Sequence, residues 1–271
     1  MEKLLINRIN HHVYSRGYMN KKQFGFPPQK STVDAALTIK TFVQECLYAG
    51  DVIVLISLDV QGAFDATWWP GVLREIKKSK CPKNLYNLTR SSFTQRTAAM
   101  TMNSLRTEKP VSIRCPQWSC CGPGLWNLQF NSLLQLKFMA RTKLAAYADD
   151  LLIATRGESI RAVENYTNAE MSKIDEWARR NKIKFNEKSK VILVTGRKRR
   201  ENKQITTYLH FQPLEQVTLM KYVGIILGHK FKFQGHITHV AERCTKVIHN
   251  LSRAAKMFLG LKNEAIATMY K

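Results

Sequence analysis

No apolar run in this chain approaches the roughly 20 residues that a membrane-spanning helix needs, which removes the simplest membrane role. Acidic side chains are also scarce. The 20 Asp and Glu face 43 Lys and Arg, leaving a formal charge of +23. A surface that positive repels itself and is tolerated mainly beside a polyanion, so nucleic acid is the expected partner, bound less tightly as salt rises. An anionic membrane surface and a ribosomal-type basic role are the blander alternatives. Cysteine is sparse too: Cys46, Cys81, Cys115, Cys120, Cys121 and Cys244 form no CxxC pair and no Cys/His cluster at zinc-ligand spacing. The adjacent Cys120 and Cys121 suit neither an ordinary disulfide nor a metal site, and all six read as reduced, mostly buried thiols of an intracellular protein. Met1 is followed by Glu2 and Lys3 rather than an apolar signal core, so secretion is not expected. No repeat or low-complexity linker divides the chain.

What is present is a 44% apolar sequence of 271 residues, enough for a substantial core. The densest β-branched run is Asp51–Val60, of the kind buried on both faces of a sheet. A helix is expected over Thr32–Leu47, with Val33, Ala36, Leu37, Ile39, Val43 and Leu47 as its stripe. Arg96–Asn103 and Lys109–Cys115 read as two short strands, and Gly122–Phe138 as a buried helix. Lys143–Thr155 reads as a hairpin with Asp149 and Asp150 at its tip. Ser159–Asn181 is an amphipathic helix carrying Ile160, Val163, Thr167, Met171, Ile174 and Trp177 on one side. Strands around Val191–Thr195, Thr206–Phe211 and Tyr222–Leu227 follow, then a helix from near His236. The basic run Arg197–Arg200 reads as a loop. This order indicates an α+β or α/β fold, as one catalytic unit.

Two acidic points carry the chemistry. Asp59 ends the most apolar strand, and Asp149-Asp150 sit between apolar strands. A carboxylate at the end of a buried strand is costly unless it meets a cation. Two such points on adjacent strands could hold a pair of divalent ions, with Mg²⁺ the natural match for oxygen ligands. Two ions about 3.5–4 Å apart stabilise both the attacking and leaving oxygens of phosphoryl transfer. On spacing alone, a strand-end cap at Asp59 and an exposed turn at Asp149-Asp150 account for the pattern equally well.

The surrounding letters discriminate. Tyr147-Ala148-Asp149-Asp150 resembles the YADD signature of reverse transcriptases, and Leu58-Asp59-Val60-Gln61-Gly62-Ala63-Phe64-Asp65 is similar to the other metal-binding motif of the LINE-type (non-LTR) retrotransposon enzymes. Further matches fall in that family's order. Gln23-Phe24-Gly25-Phe26 with Ser31-Thr32 resembles a fingers motif, and Pro116-Gln117 with Gly122-Pro123 and Leu125-Trp126-Asn127 resembles the nucleotide-pocket entry. Asn186 with Lys188-Ser189 is similar to the lysine motif, Tyr222-Val223-Gly224 to the primer-grip turn, and His236-Ile237 to the start of the thumb.

The resemblance implies a right-hand polymerase fold with an antiparallel palm sheet backed by helices, partial fingers and the start of a helical thumb. Residues 1–234 would be fingers and palm, and 235–271 the beginning of the thumb, both ends cut short. It implies an RNA-directed DNA polymerase using two Mg²⁺ ions, for which Mn²⁺ can substitute. The partners would be an RNA template, a DNA primer or target, and dNTPs. No membrane is implied, and localisation would be nuclear with a cytoplasmic ribonucleoprotein stage. Asp59 and Asp149 would be metal ligands, completed by the Val60 carbonyl and assisted by Asp150. Phe64 would lie under the incoming sugar and exclude a 2′-OH. Gln117 would position template or nucleotide, and Lys188 would protonate the pyrophosphate leaving group. Lys77, Lys78, Arg90 and Arg96 would line the template–primer path.

Two letters depart from the family. Pro27 stands where Arg usually follows Gly-Phe, bringing no charge and a fixed φ. Trp118 stands where a glycine usually lets the backbone approach the nucleotide. With both substitutions and both truncations, little or no polymerase activity is expected of this polypeptide alone. The alternatives are a catalytically inactive basic nucleic-acid-binding remnant, or an RNA-dependent RNA polymerase, against which Phe64 and the YADD form argue.

Overall fold

The computed structural model describes residues 2–102, 105–115, 119–186, 188–196 and 203–257, with the side chains of 254–257 left aside. The chain opens with helices α1 (Glu2–Ser15) and α2 (Thr32–Tyr48), then strand β1 (Val52–Leu58). Helices α3 (Trp69–Lys78) and α4 (Lys83–Phe93) lead to strands β2 (Thr97–Met102) and β3 (Leu105–Pro110). Helix α5 (Gly122–Leu134), strands β4 (Thr142–Tyr147) and β5 (Asp150–Gly157) and helix α6 (Ile160–Asn181) form the middle. The last part holds β6 (Lys190–Val194), β7 (Tyr208–Leu209), β8 (Gln212–Pro213), β9 (Glu215–Gln216), β10 (Leu219–Tyr222), β11 (Ile225–Gly228) and α7 (Gln234–Met257).

The central sheet has strand order β4-β5-β1-β6-β9, antiparallel except for the short parallel β6–β9 pairing. β1 lies at its centre and is buried on both faces, which is why it reads as an unbroken apolar run. Val54, Ile56 and Leu58 point toward Trp126 and Phe130 of α5 and Met171, Ile174 and Trp177 of α6. Ile53 and Leu55 point the other way, toward Ala35, Ile39, Val43 and Cys46 of α2 and Met220, Tyr222 and Leu227 of the β10–β11 hairpin. A third cluster ties α1, α3, α4 and α5 together through Ile9, Val72, Ile76, Leu85 and Leu128. Among the described residues, no helix is long and apolar enough to cross a membrane.

Several local expectations are corrected. The buried stripe of α2 is Ala35, Ile39, Val43 and Cys46, while Val33 and Leu37 are exposed. Small Ala35 and Cys46 let the helix sit close on the sheet. The second strand after Arg96 is β3, earlier than Lys109–Cys115, because Met102 pairs with Leu105 across positions 103 and 104. Tyr222–Leu227 is no single strand but the turn of a hairpin, with Val223 and Gly224 at φ 43° and 87° reversing the chain. The Thr206–Phe211 strand shrinks to β7, ended by left-handed His210 and Phe211. Of the six free thiols, Cys46, Cys115 and Cys121 are buried, Cys81 is half-buried, and Cys120 and Cys244 are exposed. The Arg197–Arg200 run lies outside the described residues.

Candidate active site

Asp59 is the residue at which β1 leaves the sheet. The β1–β5 register pairs Val52 with Gly157 and Leu58 with Leu151, so one further step sets Asp59 opposite Asp150. Tyr147 pairs with Asp150, leaving Ala148 and Asp149 as a two-residue turn between β4 and β5. Ala148 has φ 58°, a left-handed conformation uncommon outside glycine, which closes the hairpin tightly and carries Asp149 at its tip. Residues 90 positions apart in sequence thus meet at one end of two adjacent, buried strands.

The electrostatics follow from this meeting. Burial, then the charges of Asp149 and Asp59, push the Asp150 carboxyl up to about 6. Burial also raises Asp149, with a smaller push from Asp59, against a backbone hydrogen bond that lowers it. Half-buried carboxyls at Asp149 and Asp150, raised by burial and by neighbouring carboxylates, mark a site short of positive charge. Among the described residues no three carboxylate, imidazole or thiol groups close into a metal cage. The aspartates are half-buried neighbours at one end of β1 and β5. That donor set fits Mg²⁺, which keeps several waters and binds through one or two carboxylates plus substrate phosphates.

The Asp59 backbone is gripped from both sides. Asn186 N–H donates to the Asp59 carbonyl (2.7 Å), and Asp59 N–H donates to Ser189 Oγ (3.3 Å). Ser189 Oγ in turn donates to the Asn186 carbonyl (2.8 Å). Next along, Val60 bridges to Phe185, and Gln61 N–H donates to the Lys184 carbonyl. Lys188 sits on the same turn, its N–H donating to Asn186 Oδ1 and its side chain exposed. The sequence motif pointed to Lys188, but the anchoring work of Asn186 and Ser189 was not foreseen. The lysine motif named both residues, but nothing in their letters marks the hydrogen bonds they make to Asp59.

Phe64 is half-buried near the first turn of α5, where a Cβ on Gly122 would lie 3.5 Å from its ring. Its ring centroid is 6.5 Å from that of Phe26, an exposed aromatic with φ 71°. Pro27 follows, partly buried. Gln117 and Trp118 lie outside the described residues. The β10–β11 hairpin is fastened to the β4–β5 hairpin: buried Tyr222 donates from its hydroxyl to the Ala145 carbonyl (2.9 Å). Of the basic residues expected along a nucleic-acid path, Lys78 pairs with Glu75 and Arg96 with Glu2. A groove of about 1250 Å³ lies behind the 184–186 segment, bordered by Asp175, Arg179, Lys182, His210 and exposed Phe211.

The profile of the reverse transcriptase (RNA-dependent DNA polymerase) family matches residues 1–227. A 115 kDa protein in the type-1 retrotransposable element R1DM of Drosophila melanogaster is 30% identical over all of this chain and 26% of its own length. The RNA-directed DNA polymerase from mobile element jockey of the same species is 27% identical, over 89% of this chain and 27% of its own. The chain therefore spans about a quarter of these relatives. Among solved structures, apo telomerase from Candida tropicalis truncated from its C-terminal domain superposes with a TM-score of 0.57 at 14% identity, over 85% of this chain and 43% of that one. Telomerase from Candida albicans, solved with a fragment of telomeric RNA, gives a TM-score of 0.53 at 10% identity, over 83% and 36%. Likeness at that identity shows a shared polymerase fold. A match over most of its length places this chain in the reverse transcriptase (RNA-dependent DNA polymerase) family, with the paired aspartates at adjacent strand ends.

Proposed function

We propose that the chain is the catalytic core of a retrotransposon polymerase, extending a DNA primer with dNTPs while copying an RNA template. The observation that supports this most directly is the β1–β5 register, which sets Asp59 against Asp150 with Asp149 at the adjoining turn. Mg²⁺ held by Asp59, Asp149, Asp150 and the Val60 carbonyl would activate the primer hydroxyl and neutralise the triphosphate. Asn186 and Ser189 fix Asp59 for that task. Phe64 floors the sugar site and rejects a 2′-OH, Gln117 positions template or nucleotide, and exposed Lys188 protonates the departing pyrophosphate. Residues 1–234 act as fingers and palm, and 235–271 begin the thumb, with a nuclear site of action.

Pro27 and Trp118 stand where related enzymes carry Arg and Gly, so the unaltered chain is expected to extend primers slowly. A Pro27→Arg/Trp118→Gly chain should extend faster in Mg²⁺ on an RNA template. Adding Asp149→Asn should cut that extension by at least about 10²-fold. Phe64→Ala should shift incorporation toward ribonucleotides. Extension that survives Asp149→Asn sinks the reading. Tight template–primer binding without extension by any variant would mark a nucleic-acid-binding protein instead.

A further inference from the structure

The left-handed Ala148 is not held by its own hairpin alone. Both of its backbone polar groups are taken by one side chain from 125 positions away: Ala148 N–H donates to Gln23 Oε1 (3.1 Å), and Gln23 Nε2 donates to the Ala148 carbonyl (3.2 Å). Gln23 Oε1 also accepts from Gly25 N–H (3.0 Å), so the amide orientation is set by its partners: flipped, it would aim Nε2 at two N–H donors. Trp126 Nε1–H adds a second donor to the Ala148 carbonyl (3.1 Å). Gln23 is 1% exposed, and Trp126 is fully buried. An amide this deep is costly unless its hydrogen bonds are met, and here most of them are spent on a single turn.

The segment around Gln23 is itself fixed. Phe24 N–H donates to the Ala146 carbonyl (2.7 Å) and Ala146 N–H to the Lys22 carbonyl (2.9 Å), so residues 22–24 cover the outer edge of β4. Asn127 Nδ2 donates to the Gly25 carbonyl (3.0 Å). A Cβ on Gly25 would lie 2.1 Å from Ala148 N, so only glycine lets the segment press against the turn.

We propose that Gln23 is a positioning residue for the metal-binding turn: its carboxamide holds Ala148 left-handed and so fixes where Asp149 presents its carboxylate. Strain of this kind persists only where the surroundings over-determine it. The inference rests on reading Asp149 as a metal ligand, and its test separates the two.

Four full-length chains decide it: unaltered, Gln23→Met, Ala148→Gly, and the double variant. Mn²⁺ binding is titrated by electron paramagnetic resonance, with Asp149→Asn defining the site-specific part, and exchange of the residue-148 amide is followed by NMR. Gln23→Met keeps the side chain's bulk but removes its hydrogen bonds. It should weaken Mn²⁺ by about tenfold, as loss of a partner behind a metal ligand does, and speed amide exchange by at least about tenfold. Glycine adopts φ 58° without strain, so on the Ala148→Gly background the same change should cost less than about threefold in Mn²⁺ affinity. Equal losses on both backgrounds overturn the proposal, because an amide that merely fills the core would not be relieved by glycine. So does unchanged amide exchange in Gln23→Met. If that variant fails to fold, Trp126→Phe removes the second donor alone, and Mn²⁺ affinity unmoved by it overturns the proposal as well. Mn²⁺ binding indifferent to Asp149→Asn sinks the metal reading instead, while the amide exchange still decides whether Gln23 holds the turn.

Discussion

Asp150 carries the least comfortable charge of the site. Its carboxyl is pushed up to about 6 by burial and by Asp149 and Asp59, whereas in the unfolded chain it returns to about 3.9. The folded state therefore holds this proton more tightly. The stability this contributes is fully present below the unfolded value and is lost as pH rises through about 6. Without divalent metal, Asp150→Asn should melt above the unaltered chain at pH 7.5 by roughly 2–4 °C, about 1 kcal/mol once solvent screening of a half-exposed group is allowed for. At pH 5 the gap should narrow, closing only below about 3.9. A gap of equal size at both pH values, measured by thermal unfolding in chelator, would contradict this electrostatic account. The residues that carry charge were legible in the sequence, since a carboxylate that closes an apolar run calls for a partner. The residues that hold them fell inside matched motifs, but their holding role was not legible. Gln23, Asn186 and Ser189 act through backbone hydrogen bonds between distant segments, and no local pattern of letters encodes such a bond.

At the scale of elements, β1 is the piece on which the site depends. It joins the aspartate hairpin on one side to β6, Asn186 and Ser189 on the other. Leu55 is fully buried between α2 and the β10–β11 hairpin. Leu55→Ala should cost about 2–5 kcal/mol in urea unfolding, the usual range when a filled core position is emptied. A loss under about 1 kcal/mol would mean that this face of the sheet repacks freely. β1, β4, β5 and α6 were readable because each obeys a single burial rule along its whole length. α3 and α4 were not, although their starts are marked by Pro70 and Pro82. In α3, Trp69-Pro70-Gly71 looks like a turn until proline's tolerance in the first helical turn is considered. The stripe of α2 was misplaced for another reason: periodicity favours the larger apolar side chains, whereas the sheet accepts the small Ala35 and Cys46. α7 shows the reverse case, an amphipathic pattern whose Ile237, Val240, Val247 and Ile248 remain exposed.

For the molecule as a whole, the deciding quantity is the net charge of +23. Several of the acids present are already matched by bases. Glu75 is buried beside Lys78 (2.9 Å) and Glu170 beside Lys173 (2.8 Å), while Arg141 meets Glu158 (2.8 Å). The excess Lys and Arg thus remain available to a polyanion, and in the proposed function their contribution would come from counterions released by phosphates rather than from base recognition. Affinity for an RNA–DNA template–primer should fall by about 10³-fold between about 50 and 200 mM salt, as for a protein making several phosphate contacts. The slope should be alike for unrelated sequences of the same length. Asp149→Asn should leave both slope and affinity nearly unchanged in the absence of metal, because the site aspartates touch no phosphate directly without a bridging cation. Fluorescence anisotropy across a salt series measures all three. A flat salt response would locate the binding energy in stacking and shape rather than charge, and would remove the argument that the basic surface exists to hold nucleic acid.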